Sequence, residues 1–138
     1  MNEKSFDYFD HAADIGIIGR GETVVAAFIS AAQAVFAYMA DLDQVKPLDT
    51  VSIQFNETDR ELALVQWLNL LIGAARQRGM IFSSFSLSQK GDNWIGQASG
   101  EPWREDLERG TEVKGATLTM LSVKQYAQFY EARCVVDV

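Results

Sequence analysis

The chain has 138 residues, of which 48% are hydrophobic, and its 19 acidic and 12 basic side chains give a net charge of −7. This length and hydrophobic fraction predict a single domain over residues 1–138 with a core of its own. The negative charge opposes the attraction to phosphates on which most nucleic-acid binders depend, so we expect no direct binding to RNA or DNA. One cysteine and one histidine exclude a disulfide framework and leave too few ligands for a Cys/His zinc site.

No segment of the sequence predicts export or insertion into a membrane. The first residues lack the basic and apolar regions of a signal peptide, and no later run approaches the roughly 20 apolar residues of a spanning helix. We therefore expect a cytoplasmic protein with no membrane contact. The acidic surface suits a cation or a basic protein partner, although the same charge also favours solubility.

The first part of the chain predicts strands followed by a helix. Between Phe6 and Arg20, short apolar runs alternate with glycines, which indicates one or two strands with a bend at His11-Ala12. From Thr23 to Met39, apolar residues recur every three or four positions. This spacing predicts an amphipathic helix, and the hydroxyl of Thr23 can cap its first backbone amides.

The middle of the chain predicts a loop, a strand and a second helix. Segment 41–47 contains a proline and two acids and is interpreted as a loop. Residues 51–55 alternate between apolar and polar side chains, as in a half-buried strand. The capping box over 58–61 then begins a helix that ends at Gly79. Because this helix is apolar around most of its circumference, we expect it to be covered on more than one side.

The last part of the chain predicts further strands. Two short strands flank the turn 90–93, a polar connection runs over 100–110, and two strands follow over 112–124 and 129–136. Cys134 and the three tryptophans are interpreted as core or packing residues. These elements predict the α+β class, as a two-layer single domain with two main helices packed on a mixed, mostly antiparallel sheet.

Two aspartates near opposite ends of the chain are candidate metal ligands. Asp14 follows the first predicted strand, and Asp137 comes directly after the strand-like run 134–136. Alternation along that strand places Asp137 on its polar face. If the fold brings Asp14 alongside, its carboxylate, that of Asp137 and the α-carboxylate of Val138 form a set of hard oxygen ligands suited to Ca²⁺ or Mg²⁺. The alternative interpretation is an acidic, solvated chain end.

Four further polar residues are candidates for the same site. His11 could orient the first aspartate or contact a partner's nucleotide, although a lone histidine at a bend also serves as a structural hydrogen-bonding group. Lys114 shares a strand face with apolar residues, so we expect it to pair with one of the two terminal aspartates. Asp41 and Asp43 could extend the anionic cluster, or they could simply solvate their loop.

Five short motifs occur in order along the whole chain. They are His11-Ala12-Ala13-Asp14-Ile15-Gly16, Gly21 before a helix with Ala27-Phe28, Trp67-Leu68-Asn69-Leu70-Leu71, Glu112-Val113-Lys114-Gly115-Ala116-Thr117, and the closing Val136-Asp137-Val138. Each motif alone is common. The ordered set of His-x-x-Asp, Val-Lys-x-x-Thr and a last aspartate followed by one aliphatic residue is specific, and in this set the chain resembles the archease family.

The resemblance implies an activating cofactor of the GTP-dependent RNA ligase of the RtcB type, which acts in tRNA splicing and RNA repair. The family is thought to speed guanylate transfer onto the ligase's histidine, and a chaperone-like role has also been proposed for it. By resemblance, Asp14 and Asp137 form a divalent-metal site near the carboxylate of Val138, with Ca²⁺ expected ahead of Mg²⁺ or Mn²⁺. Lys114 matches the family's lysine position and, with His11, is expected to act on the partner. The protein would not itself be an enzyme.

Three positions depart from the family's pattern. Ala12 stands where threonine is frequent, the connection around Leu107 lacks a frequent histidine, and Leu118 stands where an aromatic residue is frequent. These departures weaken the expectation of a ligase partner more than the expectation of metal binding by the two aspartates. Two alternative functions remain: a chaperone-like protein-binding module, and a small divalent-metal-dependent hydrolase that uses the same carboxylates. Against the hydrolase, the sequence has no G-x-S-x-G motif, no Cys/His pair and no phosphate-binding glycine loop.

Overall fold

A computed structural model describes residues 5–138, and within them two helices accompany eight strands. The helices are α1 (Val24–Met39) and α2 (Arg60–Arg78). The strands are β1 (Phe6–His11), β2 (Asp14–Gly21), β3 (Asp49–Asn56), β4 (Met80–Lys90), β5 (Asn93–Pro102), β6 (Gly115–Ala116), β7 (Ser122–Gln125) and β8 (Tyr130–Asp137). Neither helix is long and apolar enough to cross a membrane, as far as the described residues go.

The strands form two sheets. One has the order β1-β2-β8-β6, with β7 also paired to β8, and the other has the order β3-β5-β4. The strand pairs are antiparallel. The predicted α+β class, with two main helices and a mostly antiparallel arrangement, is confirmed. The sequence did not reveal that the strands divide between two sheets, because strand partners are not encoded locally.

A two-residue turn joins β1 to β2. His11 pairs with Asp14, so Ala12 and Ala13 form the loop of the hairpin. Ala12 has a φ of 52°. This left-handed conformation costs an L side chain about 1–2 kcal/mol, whereas glycine adopts it freely. The bend predicted at His11-Ala12 is confirmed, and its backbone strain lies at residue 12.

Helix α1 packs closely on the first sheet. The hydroxyl of Thr23 accepts the N–H of Ala26 at 3.0 Å, which confirms the predicted N-cap. A Cβ on Gly19 would overlap the backbone of Ala27 and Ala31, so the helix backbone rests directly against β2. This close approach explains why the strand carries glycine at that position.

Helix α2 begins one residue later than its predicted capping box. Asp59, rather than Thr58, is the N-cap, and its carboxylate accepts the N–H groups of Glu61 and Leu62. A carboxylate both caps these amides and complements the positive end of the helix dipole. Gly79, with φ of 64°, ends the helix as predicted. The buried side chains of α2 are Ala63, Leu64, Trp67, Leu68, Leu71, Ile72 and Ala75.

Aromatic rings connect the helices to the second sheet. The ring of Trp94 stacks with those of Phe28 and Phe55, at centroid distances of 5.2 and 5.8 Å. The indole N–H of Trp67 donates to the carbonyl of Phe28 at 3.0 Å. Both tryptophans are fully buried, as predicted. Cys134 is also fully buried, and burial raises the pKa of its thiol to about 12, so the thiol stays protonated and unreactive at neutral pH.

The prediction of one continuous strand over 112–124 is wrong. The structure has β6 and β7 with a turn between them, and both pair with β8. The hydroxyl of Thr117 donates to the carbonyl of Val135 at 2.8 Å and accepts the backbone N–H two residues later at 3.1 Å. Met120 then has a φ of 52°. A threonine hydroxyl that bonds nearby backbone groups competes with strand pairing, which periodicity cannot reveal.

The connection after β5 is anchored by Glu101. The predicted connection over 100–110 starts only after Pro102, where β5 ends. The buried carboxylate of Glu101 accepts the Nε–H of Arg104 at 2.8 Å and the backbone N–H of Lys46 at 2.6 Å. These hydrogen bonds, from Arg104 first and Lys46 second, hold the pKa of Glu101 below its usual range.

Replacing Ala12 with glycine is expected to stabilise the protein by about 0.5–1 kcal/mol, because the strain at positive φ exceeds the entropy that glycine loses on folding. Urea unfolding monitored by circular dichroism measures the change. Ala13→Gly is the matched control, since residue 13 does not have positive φ, and it should destabilise the protein. An Ala12→Gly protein less stable than the parent would contradict the assigned turn.

Acid unfolding should depend on Glu101. A carboxylate whose folded pKa is lowered stabilises the fold above its unfolded pKa, and this contribution is lost as the pH falls through the folded value. The unfolding free energy of the parent should therefore fall more steeply below about pH 4.5 than that of Glu101→Gln. Glu105→Gln, at an exposed neighbouring position, is the control and should follow the parent. Equal pH dependence of the parent and Glu101→Gln would refute this role.

Candidate functional site

Asp14 and the last residues of the chain lie next to each other at one edge of the first sheet. Strands β2 and β8 pair through Ile15 and Val136, so Asp14 and Asp137 come next on the two neighbouring strands. The Oδ1 atom of Asp14 accepts the backbone N–H of Val138 at 3.3 Å. The fold therefore brings together the two parts of the chain that sequence analysis selected.

The carboxylates of Asp14 and Asp137 are accessible to solvent and have no basic partner among the described residues. Asp137 is exposed, while Asp14 and Val138 are half-buried. Residues opposite each other in an antiparallel pair direct their side chains to the same face, so the two aspartates share a face. Neither forms an ion pair within residues 5–138. Adjacent negative charges without a basic partner create a local potential that attracts cations.

Lys114 contacts this edge through its backbone. Its N–H donates to the carbonyl of Asp137 at 2.8 Å, and the next residue, Gly115, pairs with Asp137 in the sheet. Its side chain is exposed and forms no ion pair with any residue that the structure describes. The prediction of an ion pair between Lys114 and a terminal aspartate is therefore wrong. The backbone places Lys114 beside Asp137 and leaves its ammonium group in solvent.

Two residues of α2 that sequence analysis did not select hold the Lys114 segment. The amide of Asn69 donates to the carbonyl of Ala116 at 3.1 Å and accepts its N–H at 2.8 Å. The guanidinium of Arg76 donates to the carbonyl of Lys114 at 3.0 Å. Asn69 and Arg76 lie two helical turns apart on one face of α2. That spacing was the available signal, but exposed polar residues on a helix usually indicate only solvation.

His11 lies beside Asp14, whereas the two loop acids lie elsewhere. His11 is half-buried and pairs with Asp14 across the hairpin. Asp41 and Asp43 belong to the short 3₁₀ turn after α1, where the carboxylate of Asp41 accepts the N–H of Asp43 at 3.1 Å. Both line a separate cavity of about 810 Å³. The described residues contain no group of three His, Cys, Asp or Glu side chains that could hold a metal, so neither acid completes such a group with the terminal aspartates.

The donor atoms at this edge determine its chemistry. Asp14 and Asp137 supply hard oxygen atoms, which Ca²⁺ and Mg²⁺ prefer. Ca²⁺ takes six to eight oxygen ligands, and Mg²⁺ commonly keeps several waters. A divalent ion held here would therefore take its remaining ligands from water or from a bound partner.

Comparison with known proteins extends over almost the whole chain. Residues 6–138 match the model of the Archease protein family (MTH1598/TM1083). Protein archease from Sulfolobus acidocaldarius is 36% identical over 136 residues, which cover 96% of this chain and 98% of that protein. Protein archease from Sulfurisphaera tokodaii is 32% identical over 138 residues, with coverage of 98% and 99%.

Two solved structures share the fold. The solution structure of Methanobacterium thermoautotrophicum protein 1598 has a TM-score of 0.84 and 28% identity, and the match covers 99% of this chain and 100% of that chain. The crystal structure of a Thermotoga maritima archease, described as a possible chaperone, has a TM-score of 0.66 at 16% identity, with 94% of each chain covered. The family model and the sequence relatives together establish that this chain belongs to the archease family.

Proposed function

We propose that this chain is a metal-binding accessory protein that activates a GTP-dependent RNA ligase of the RtcB type in tRNA splicing and RNA repair. The observation that carries the proposal is the hydrogen bond from the N–H of Val138 to Asp14, which holds the two acidic segments at one edge. Membership of the archease family supports the choice of partner. In this proposal the protein supplies charged groups to the ligase and performs no catalysis of its own.

The bound ion in this proposal is divalent, with Ca²⁺ expected ahead of Mg²⁺ or Mn²⁺. Asp14, Asp137 and the α-carboxylate of Val138 would hold it. Because the chain supplies only part of a complete ligand set, docking of the ligase would add ligands and strengthen ion binding. Metal binding and partner binding would then favour each other.

Lys114 and His11 would act on the partner from the same edge. The exposed ammonium of Lys114, next to Asp137, can contact phosphate oxygens at the ligase's nucleotide site. His11, paired with Asp14, can orient the carboxylate or donate a hydrogen bond to the nucleotide. These groups stabilise charge during guanylate transfer, and the nucleophile belongs to the ligase.

Replacing Asp137 or Asp14 with asparagine should reduce stimulation of ligase guanylylation by at least roughly tenfold, because a carboxylate ligand of the ion is lost. The measurement is the rate of labelled guanylate incorporation into the ligase, with and without this protein. Asp43→Asn is the matched control, since Asp43 lies on the separate cavity and should remain active. A fully active Asp137→Asn protein with the parent's melting temperature would contradict the proposed site.

Calorimetric titration should detect Ca²⁺ binding that depends on all three carboxylates. Adding two glycines after Val138 moves the α-carboxylate away, so Ca²⁺ affinity should fall by roughly the same factor as in Asp14→Asn. Zn²⁺ should bind no more tightly than Ca²⁺, because the ligands are all oxygen. Much tighter Zn²⁺ binding, or Ca²⁺ binding that both changes leave intact, would refute the site.

A chaperone-like function is the second candidate, and exposed apolar side chains favour it. Leu118 and Met120, on the turn between β6 and β7, are 64% and 51% exposed, and Leu62 and Leu70 on α2 are 41% and 40% exposed. Apolar groups on a surface suit contact with other proteins. Suppression of aggregation that persists in EDTA and in Asp137→Asn would favour this function, since it requires no metal. The hydrolase alternative lacks a comparable supporting feature.

A further inference from the structure

A cavity of about 410 Å³ lies between the C-terminal ends of α1 and α2, beneath residues 109–113, which we call the strap. Its floor is apolar and includes Ile72, Ala75 and Met80, none of which is more than 7% exposed. The volume falls within the range of small-molecule sites. Neither Asp14 nor Asp137 lines this cavity, which is therefore separate from the proposed metal site.

The strap is fixed, so the cavity exists before any ligand binds. The N–H of Gly110 donates to the carbonyl of Met39 at 2.7 Å, and that of Thr111 donates to the carbonyl of Tyr38 at 3.1 Å. Beyond the strap, the N–H of Lys114 is bonded to β8. Hydrogen bonds on both sides of Val113 therefore hold the strap over the floor. A preformed cavity lowers the ordering cost of binding.

Two arginines give the mouth of this cavity a positive charge. The guanidinium of Arg109 lies 3.9 Å above the ring of the half-buried Trp103 and forms no ion pair with any described residue. Stacking leaves the in-plane N–H groups of Arg109 available to an anion. Arg76 lies 3.6 Å from Glu112, and both side chains are exposed. An exposed ion pair of that length is weak, so an incoming anion can displace Glu112 while Nη2 of Arg76 keeps its bond to the carbonyl of Lys114.

Hydrogen bonds offset part of the negative charge at the two helix C-termini. Uncapped carbonyl groups at a helix C-terminus would favour a cation. Here the strap amides bond the carbonyls of Tyr38 and Met39, and the N–H of Gly79 bonds those of Ala75 and Arg76. The acids beside Arg109 line the larger cavity of about 810 Å³ and form no ion pair with it within residues 5–138. They are Asp41, Asp43 and Glu108.

We propose that this cavity binds a small carboxylic acid with an apolar body, whose carboxylate contacts Arg109 and Arg76 and whose aliphatic or aryl part covers the floor. Carboxylate oxygens match the paired donors of a guanidinium. A nucleotide fits less well, because its sugar and base would leave polar groups unpaired against Ile72 and Met80. The charged mouth and the buried apolar floor together select an amphiphilic monoanion.

Titration of the ¹⁵N-labelled full chain with octanoate, followed by NMR, tests this proposal. Octanoate should cause saturable shifts of the Trp103 indole and the Val113 amide. The indoles of Trp67 and Trp94, which are bonded to backbone carbonyls in the core, should not move. 1-Octanol is the neutral probe of equal chain length. It should bind at least roughly tenfold more weakly than octanoate, because it lacks the charge.

Two variants and one control identify the anion-binding groups. Arg109→Gln and Arg76→Gln should each weaken octanoate binding by roughly tenfold and leave octanol binding unchanged. Arg78→Gln removes a charge from the same helix but outside the cavity, and it should bind octanoate like the parent. Equal affinity for octanoate and octanol, or an unchanged Arg109→Gln protein, would overturn the anion site. No saturable shift up to about 10 mM octanoate would overturn the cavity as a binding site altogether.

Discussion

The antiparallel pairing of β2 with β8 is the interaction on which the candidate site depends. It aligns the second strand of the chain with the last one, and its register sets Asp14 next to Asp137. A slip of one residue would turn these carboxylates toward opposite faces of the sheet. The register is fixed because the inner face of the pair, including Ile17 and Cys134, is fully buried against α1. The packing of the core thus determines the geometry of a surface site.

The same strand pair is held at its far end by charged groups. Glu131, which is almost buried, lies opposite Arg20 and accepts its Nε–H at 3.2 Å. Arg133 donates to the other oxygen of Glu131 at 2.7 Å. A buried carboxylate needs such partners, and a shift of β8 along β2 would remove the one from Arg20, because Arg133 lies on β8 itself. Charge pairing at one end and apolar packing along the strand therefore oppose the same slip.

The local elements could be predicted from the sequence, and the long-range arrangement could not. Periodicity and capping identified α1 from Thr23 to Met39, since those signals depend on neighbouring residues. The pairing of β2 with β8 has no local signal, so the meeting of Asp14 and Val138 required the structure. The Lys114 segment was mispredicted for a related reason. A threonine hydroxyl and the distant amide of Asn69 determine its path, and neither affects the alternation of apolar residues.

Arg76 connects the cavity to the edge that carries Asp14 and Asp137, so ligand binding in the cavity can affect that edge through the bonds of Arg76. Its side chain lines the cavity and also donates to the carbonyl of Lys114, whose N–H bonds the carbonyl of Asp137. A group bound in the cavity can affect the edge only if it binds differently when that arginine bond is made or broken. The bond from Lys114 to Asp137 and those from Asn69 to Ala116 do not involve Arg76. The Asn69 bonds and the bond from Lys114 to Asp137 therefore hold the backbone beside the carboxylates independently of Arg76.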